Sequence, residues 1–244
     1  MRMRKKKNGE KRLLNLSALT LDSECDYEEI KNAFETDRPL RLEIGCGKGD
    51  FICGISSSEN EYNYIALEKI GDVIMAAVEK YAVSRSLGNL APNGGWLAPD
   101  GEVYDGKAYG IPVSERGNVR FVLGEAMAIL SHLPDASVES IYTNFSDPWP
   151  KKGYAARRLT HPKFLAEYER ILIPGGMLKL KTDNDGLFEF SLESIRSSAL
   201  EIADFTWDLD SDEKFFSNNI ETEYERNFKN RGVKIKALRA VKNK

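Results

Sequence analysis

The sequence predicts an α/β fold in which a mostly parallel sheet is covered by helices on both faces. Two observations favour it. Short apolar runs alternate with helical patterns along most of the 244 residues, and a glycine-rich turn joins the first long strand to a helix. Sheets of this kind place ligands at the carboxyl ends of their strands. Any one acid there could be a helix cap, but five such ends carry one: Glu43, Glu68, Glu125, Asp147 and Asp183.

The composition is that of a globular protein, with 41% hydrophobic and 30% charged residues and a net charge of -3. No apolar run approaches the ~18 residues of a membrane span, and no apolar stretch follows the basic N-terminus as in a signal peptide. We therefore expect a cytoplasmic protein with no membrane contact. The three cysteines lack metal-ligand spacing, so we expect reduced thiols and no metal site.

Positive charges gather in three places although the whole chain is acidic. They lie within residues 1–12, 151–163 and 229–244. Each terminal group alone is typical of a solvated tail, and residues 1–12 are expected to form a flexible arm. Three groups together favour a basic face that binds phosphates.

A glycine triplet follows the first long strand, whose apolar residues alternate over Leu40–Ile44. Gly45, Gly47 and Gly49 can turn with positive φ and approach a ligand closely because they carry no Cβ. The dinucleotide-binding pattern needs a glycine at position 50, which is Asp50, so a nicotinamide dehydrogenase is disfavoured. Asp50 is expected to cap the next helix. Such a turn alone could also do no more than pack a helix against a sheet.

Glu68 ends the next predicted strand, at the distance where an acid holds ribose hydroxyls. Together with Glu43 and the glycine triplet, it resembles the cofactor site of S-adenosylmethionine-dependent methyltransferases.

The remaining elements continue the alternation of strands and helices. We predict helices over 27–34, from about Asp72, from Thr160 and Pro162, around Phe188–Ile195 and around Ile220–Phe228, and strands over 119–123, 138–145, 177–181 and from Val233. Residues 84–117 interrupt this order with closely spaced turn signals. We interpret them as an inserted loop with a small hairpin, either a surface elaboration or an added contact surface for a partner. The arm and leading helix then occupy residues 1–37, and the main domain occupies 38–244.

The stretch Asn144–Lys152, followed by Arg157 and Arg158, is the most informative after the glycine loop. Two prolines flank Trp149 and favour a rigid turn that holds Asp147 at the strand end. Asp147 can accept from the N1 and N2 donors of a guanine, Trp149 offers a stacking face, and the basic residues can hold phosphates. The plainer interpretation is a tryptophan that closes a corner beside solvated lysines.

Four motifs occur in order between about residues 38 and 238. They are Leu42–Gly49, Asp147–Lys152 with Arg157–Leu159, Gly175–Gly176 leading to Lys181–Asp183, and Glu221–Glu225 with Gly232. In this combination they resemble the bacterial tRNA (guanine-N7)-methyltransferase family, and the second motif is the most specific. The resemblance implies a Rossmann-like class I methyltransferase fold with a mostly parallel, seven-stranded sheet.

The same resemblance implies S-adenosylmethionine as cofactor, tRNA as partner and a guanine of the tRNA variable loop as methyl acceptor. The implied cofactor residues are Glu43, Gly45, Gly47, Gly49, Glu68, Glu125 and Asp147, of which Asp147 is also catalytic. The implied substrate residues are Lys151, Asp183, Thr222, Glu223, Tyr224 and Glu225. Candidate phosphate contacts are Lys152, Arg157 and Arg158. A monomer and a homodimer are both compatible with the pattern.

Two residues depart from the family pattern. Glu125 stands where aspartate is usual, which lengthens the side chain by one methylene, and Ser146 stands where proline is more usual. Neither change removes a functional group, so we expect activity to survive. The insertion at 84–117 has no counterpart in the pattern.

The chemistry of this acceptor agrees with the residues present. Guanine N7 carries a free lone pair, so methyl transfer needs no prior deprotonation. A general base would be worth about 10²–10⁴-fold, but neither His132 nor His161 stands beside a motif. Orientation of donor and acceptor can supply roughly 7–11 kcal/mol. We therefore expect Asp147 to position guanine and stabilise developing positive charge rather than to act as an obligatory base.

Other functions share parts of this pattern. Methyltransferases acting on adenine or cytosine amino groups carry a second proline where this chain has Trp149, and the lysines at 151 and 152 also favour guanine. A catalytically silent RNA-binding subunit would keep the fold, but all the expected cofactor acids are present.

Overall fold

The computed structural model describes residues 8–243. Its helices are α1 (Gly9–Asn15), α2 (Tyr27–Asn32), α3 (Asp50–Ser58), α4 (Gly71–Ser84), α5 (Ala126–His132), α6 (Pro162–Ile171), α7 (Asp185–Arg196), α8 (Glu213–Phe216) and α9 (Glu223–Lys229). Its strands are β1 (Thr20–Leu21), β2 (Leu40–Ile44), β3 (Asn63–Glu68), β4 (Asn89–Leu90), β5 (Trp96–Leu97), β6 (Val103–Tyr104), β7 (Val119–Leu123), β8 (Val138–Asn144), β9 (Leu172–Thr182), β10 (Leu200–Thr206) and β11 (Lys236–Lys242).

The chain forms two compact units. Unit 1 contains the described residues up to Arg38 together with Cys46–His132. Unit 2 contains Pro39–Gly45 together with Leu133 and the residues after it. The glycine triplet is divided between them, since only its first member, Gly45, belongs to unit 2.

Unit 1 is built on three parallel strands. β7 pairs with β1 on one side and with β3 on the other. Residues Tyr64–Leu67 of β3 are no more than 1% exposed, as expected for a parallel strand whose two faces are both covered. α4 turns a buried stripe inward that includes Ile74, Val78 and Tyr81, and it packs against both β3 and β7.

The inserted segment of unit 1 is a small sheet of its own. β4, β5 and β6 pair in antiparallel order, so the predicted hairpin is present and gains a third strand. Trp96 anchors this sheet, because its ring is 1% exposed and its Nε1 donates to the Leu87 carbonyl at 2.9 Å. The segment also contacts α1, where Asn15 accepts from the backbone amides of Gly106 and Tyr109.

Unit 2 contains five strands. β2, β8 and β9 run parallel, whereas β11 runs antiparallel to β9 and β10. The alternation expected along β2 is not seen, since all five residues are buried, including Arg41 and Glu43. Arg41 is tolerated inside because its guanidinium pairs with Glu139 and donates to the Tyr142 hydroxyl. Burial of a charged residue requires such a partner.

The described part of the predicted N-terminal arm is helical, and the expectation of a flexible tail is wrong for it. In α1, Arg12 donates to both carboxylate oxygens of Glu79 at 2.8 and 2.7 Å. Leu16 and Leu19 follow with 0% exposure. The helix α1 therefore packs on α4 instead of reaching into solvent. The basic residues at positions 2–7 lie outside the described residues.

The α/β class with mostly parallel strands is confirmed, with one difference in number. Outside the insertion, the described residues form eight strands instead of seven. The additional strand is β1, whose Thr20 and Leu21 pair with Phe121 and Val122. A strand of two residues is too short to show an alternation of apolar and polar residues in the sequence.

Candidate active site

The loop after β2 has the left-handed backbone that its glycines were predicted to supply. The φ angles of Gly45, Gly47 and Gly49 are 82°, 57° and 83°. Within unit 1, the Cys46 amide donates to the Leu67 carbonyl at 2.8 Å and so joins the loop to the end of β3. A side chain at these φ angles would clash with its own backbone.

Gly49 is required for a second reason. A Cβ at this position would lie 2.9 Å from the Cβ of Ala77 on α4, so the glycine lets α3 and α4 approach closely. Gly49 also forms the N-cap of α3, and no side chain caps that helix. The prediction that Asp50 is the cap is therefore wrong. Its carboxylate pairs instead with Lys80.

Glu68 lies at the carboxyl end of β3, beside the glycine loop. Its oxygens accept from the Gly47 amide at 3.3 Å and from the Ile70 amide at 3.0 Å. Each carboxylate oxygen has two lone pairs, so Glu68 retains acceptor capacity for ribose hydroxyls. The Gly124 amide donates to the Glu68 carbonyl at 3.1 Å, which brings the chain just before the exposed Glu125 to the same edge.

Two apolar residues at this edge were not singled out from the sequence. Ile70 is 49% exposed and Leu123 is 41% exposed. A Cβ at Gly71 would lie 3.8 Å from Leu123 Cδ2, so the two exposed side chains belong to neighbouring turns. Ile70 follows Glu68 by two residues, and Leu123 precedes Glu125 by two. This closeness to a predicted cofactor acid is the sequence feature from which both residues could have been identified. Ligand sites combine apolar side chains with a few polar groups, so these two residues are candidates to line the site.

Glu43 lies in the interior of unit 2. Its side chain accepts from Asn144 Nδ2 at 3.3 Å, and the residue is 2% exposed. Its negative charge acts on Lys181 of the neighbouring strand β9. Glu43 thus contributes to the electrostatics of the strand end from a buried position.

The turn that carries Asp147 is held in an unusual backbone conformation. Phe145 and Trp149 have φ angles of 52° and 41° although neither is glycine. Such residues are uncommon and cost free energy that the surrounding structure must offset. One support is the Phe145 amide, which donates to the Lys181 carbonyl at 2.8 Å. Asp147 itself is exposed.

Arg158 holds the other end of this turn. Its Nε donates to the Pro148 carbonyl and a second guanidinium nitrogen donates to the Trp149 carbonyl, both at 3.0 Å. Its guanidinium also lies 4.4 Å from the centre of the Phe190 ring. Two of its five N–H donors are thus used to hold the turn, and a phosphate contact of Arg158 remains a prediction.

Arg157 covers the ring that was expected to be free for stacking. Its guanidinium lies 4.8 Å from the Trp149 ring centre and 4.9 Å from that of Tyr154. Lys151 and Lys152 are exposed and remain candidates for substrate and phosphate contacts. The basic group at this turn therefore divides into cations that hold the turn and cations that face solvent.

The segment around the start of α9 contains the predicted substrate residues 222–225. Thr222 is the N-cap of α9 and accepts from the Glu225 amide at 3.0 Å. The Glu225 side chain is 0% exposed and pairs with Lys181 and Lys229. Thr222 and Glu225 are thus held by their own chain, and their contact with a substrate remains a prediction. Glu223 and Tyr224 are the exposed members of the predicted set.

Tyr224 stands beside the two acids expected at this edge of unit 2. Its ring lies 4.9 Å from that of Phe145 and stacks on Phe228 at 4.6 Å. Burial raises the pKa of the Tyr224 hydroxyl, and the negative charges of Asp183 and Asp147 raise it further. The structure therefore brings Asp147, Asp183 and Tyr224 into one electrostatic environment, which the sequence predicted only as separate positions.

Four cations of the C-terminal basic group bind groups of unit 2. Lys229, Lys234 and Lys236 pair with carboxylates of unit 2. Lys242 donates to backbone carbonyls of 170 and 172. These cations hold strands and helices together.

Both histidines have partners elsewhere in the described residues. His161 caps α6 and accepts from the Lys163 amide, and His132 lies 3.9 Å from Glu24. Burial raises the pKa of the Cys25 thiol to about 11, so it is protonated at neutral pH. Between residues 8 and 243, no helix has the length and apolarity to cross a membrane, and no group of three or more potential metal ligands was found.

Similarities to known proteins agree with this geometry. A family described as "Putative methyltransferase" matches residues 37–238. The chain is 34% identical over 241 residues to the tRNA (guanine-N(7)-)-methyltransferase of Lactococcus lactis subsp. cremoris (strain MG1363), covering 98% of this chain and 97% of that one. It is 35% identical over 240 residues to that of Limosilactobacillus reuteri (strain DSM 20016), covering 98% of each.

A solved structure of an antibiotic-related methyltransferase shares the fold, with a TM-score of 0.54 and 16% identity over 95% of this chain and 99% of that one. The sequence matches cover nearly the whole length of their relatives, and the four motifs occur in order. The chain therefore belongs to the tRNA (guanine-N7)-methyltransferase family and has the Rossmann-like fold of class I methyltransferases.

Proposed function

We propose that the protein transfers a methyl group from S-adenosylmethionine to N7 of a guanine in the variable loop of tRNA, in the cytoplasm. The observation that carries the proposal is the convergence of Asp147, Asp183 and Tyr224 in unit 2. Two carboxylates beside an exposed aromatic ring suit a purine base, which offers hydrogen-bond donors at its edge and a face for stacking.

The residues of the glycine loop suit this cofactor. Nothing lies within 4 Å of a Cβ built on Gly45 or Gly47, so the bare backbone there is open to a ligand. Glu68 would accept from the ribose hydroxyls, and the exposed side chains of Ile70 and Leu123 would pack on the adenine. The cofactor supplies an activated methyl group on a sulfonium. Glu125 completes the set proposed for unit 1, and Glu43 and Asp147 of unit 2 are cofactor residues as the family resemblance implies.

Asp147 has two roles in the proposed reaction. Its carboxylate accepts hydrogen bonds from the guanine N1 and N2 donors, which points N7 in a fixed direction, and it stabilises the positive charge that develops on the purine. N7 needs no deprotonation, so orientation supplies most of the rate enhancement, roughly 7–11 kcal/mol for well-placed reactants. The rigid turn around Asp147 is suited to this task.

The exposed cations and polar residues near this turn would hold the rest of the tRNA. Lys151 and Lys152 are exposed and would contact phosphates, a sequence-independent interaction that weakens with salt. Asp183 and Glu223 would contact the nucleoside, with Tyr224 providing a ring face. Thr222 and Glu225 are proposed to act indirectly, by forming the helix that carries these residues.

The test is incubation of the purified protein with S-adenosylmethionine and unmodified tRNA, followed by nuclease digestion and mass analysis of the nucleosides. We expect 7-methylguanosine from the native protein and from Glu189→Ala, which changes an exposed acid on α7. Asp147→Ala should form none. Methylation of another base, or none although cofactor binds, would refute the proposal.

A pH profile distinguishes the two roles open to Asp147. If it positions guanine and stabilises charge, Asp147→Asn keeps some activity and the rate does not follow a single base that titrates near neutrality. Complete loss of turnover in Asp147→Asn, with tRNA binding unchanged and a steep dependence on one such base, would assign the base role instead.

A further inference from the structure

Lys181 occupies an unusual position for a lysine. It lies near the carboxyl end of β9 and is 8% exposed. Its ammonium group uses three acceptors on one segment: Asn219 Oδ1 at 2.9 Å, the Ile220 carbonyl at 2.9 Å and Glu225 Oε2 at 2.7 Å. An ammonium has three donors, so these bonds match its hydrogen-bonding capacity.

Glu225 completes a network around this lysine. Its other oxygen accepts from Asn219 Nδ2 at 2.7 Å and pairs with Lys229 at 2.9 Å. Lys229 in turn pairs with Asp210 and Glu221. The segment from Asn219 to Lys229 is thereby tied to β9 through one buried cation.

The same lysine also touches the Asp147 turn. Its backbone carbonyl accepts from the Phe145 amide at 2.8 Å, and its ammonium lies 5.8 Å from the centre of the Phe145 ring. The Phe145 ring also packs on Tyr224. Lys181 therefore contacts the residue that begins the turn and holds the segment that carries Tyr224.

We propose that Lys181 is a positioning residue for tRNA methylation, which fixes the segment 219–229 so that Tyr224 is held beside Asp147 and Asp183. The inference rests on the proposed function and extends it to a residue with no contact to substrate. Apolar packing could also hold the segment, but three directional bonds specify one register of α9 against β9, as buried polar groups do in some other proteins.

The buried charges of Lys181 and Glu225 stabilise each other. Burial lowers the pKa of Lys181 and the neighbouring Glu225 opposes this. Burial alone would raise the pKa of Glu225, but Lys181, with Lys229 and Asn219, outweighs it and the pKa is lowered. Removing one partner leaves the other buried charge less compensated, which is far more damaging than losing a surface ion pair.

The primary test is Lys181→Met, which keeps an unbranched apolar side chain and removes the charged ammonium. We expect kcat/KM for tRNA to fall about 100-fold, while the Kd for S-adenosylmethionine stays within about twofold of the native value. Amide hydrogen exchange over 223–229 should become at least about tenfold faster, with exchange in β3 unchanged. Lys181→Arg should recover part of the loss.

Arg170→Met is the matched control. Arg170 pairs with Asp135 and Glu167 of unit 2, neither of which is assigned to the site, so its variant should keep native kcat/KM. If Lys181→Met does not fold, Asn219→Ala removes one acceptor and keeps the buried charges paired. It should lower kcat/KM for tRNA about fivefold and quicken exchange in the same segment.

Two outcomes would overturn the inference. One is a folded Lys181→Met with native kcat/KM and native exchange over 223–229. The other is an equal loss in Lys181→Met and Arg170→Met, which would show a general effect on stability. Failure of the native protein to form 7-methylguanosine would refute the proposed function instead, and the exchange data would still decide whether Lys181 holds the segment.

Discussion

The glycine loop and the Asp147 turn both place backbone in the left-handed region, but by different means. Gly45, Gly47 and Gly49 adopt positive φ at no steric cost. Phe145 and Trp149 adopt it against their own preference, at a cost of order 1–3 kcal/mol each. The loop is thus shaped by its own residues, whereas the turn is held by the Arg158 side chain and the Lys181 carbonyl, which lie outside it.

The supports of the turn are Arg158 and Lys181, one at each end. Neither position has a sequence signature that distinguishes a clamp from a surface cation. A rigid site can therefore be built either from glycines, which adopt positive φ without strain, or from hydrogen bonds that residues outside the turn make to its backbone. The two regions should respond differently to mutation.

The largest expected effect is in the glycine loop. Gly49→Ala would require an alanine at φ 83° with its Cβ 2.9 Å from that of Ala77. We expect a loss of about 2–4 kcal/mol in the free energy of unfolding, from strain and overpacking together. Urea unfolding of the variant measures it.

Gly175→Ala separates the two contributions. Gly175 has a φ of 80° and nothing within 4 Å of an added Cβ, so only strain remains, about 1–2 kcal/mol. Equal losses in the two variants would show that close approach to α4 contributes nothing, and the comparison would then reduce to backbone angles.

The next effect concerns the clamp on the turn. Arg158→Met removes both hydrogen bonds to the Pro148 and Trp149 carbonyls. We expect kcat to fall about 10–100-fold, because small misplacement of a positioning group is costly. The slope of log Kd against log salt should not change if Arg158 only holds the turn. Steady-state kinetics and tRNA titrations at several salt concentrations test both points.

Lys151→Met should change the salt dependence of tRNA binding and leave kcat nearly unchanged. Its exposed ammonium is proposed to meet a phosphate, so the salt slope should fall by up to about one unit with kcat nearly unchanged. If Arg158→Met instead lowers the slope of log Kd against log salt and leaves kcat intact, Arg158 contacts a phosphate and does not position the turn.

Acid should weaken the α9 segment because Glu225 loses its charge. The cations and the amide around Glu225 lower its pKa below the ordinary 4.5. Its contribution is therefore complete above about pH 4.5 and is lost as pH falls through the lowered value. The unfolding free energies of the native protein and of Glu225→Gln should converge below pH 4.5. A constant difference from pH 7 to pH 3 would contradict this, as would the same convergence in Glu189→Gln.

The smallest effect is expected in α1. Arg12 and Glu79 are 13% and 14% exposed and form two hydrogen bonds. A double-mutant cycle with Arg12→Met and Glu79→Met should give a coupling of about 1 kcal/mol. A coupling energy of zero would mean that the Arg12–Glu79 pair does not hold α1 on α4, as the charge pattern predicted for a flexible arm.

Sequence patterns predicted the elements whose causes are local. Glycines at alternate positions required positive φ, and the helices that cover β3 and β9 could be recognised from their apolar stripes. The insertion was recognised from its turn signals but not its third strand, because β4, β5 and β6 have only two residues each. β1 was missed for the same reason.

The sequence by itself determined the α/β class, the glycine loop, the order of the four motifs and the acids at the strand ends. Only the tertiary structure decided what each charged side chain does. Arg158 and Arg157 are neighbours of the same type, yet one binds backbone carbonyls and the other covers two rings. Glu223 is exposed, whereas Glu225 is buried against Lys181. The physical reason is that the role of a charge depends on its burial and its partners, and these come from residues far apart in the chain.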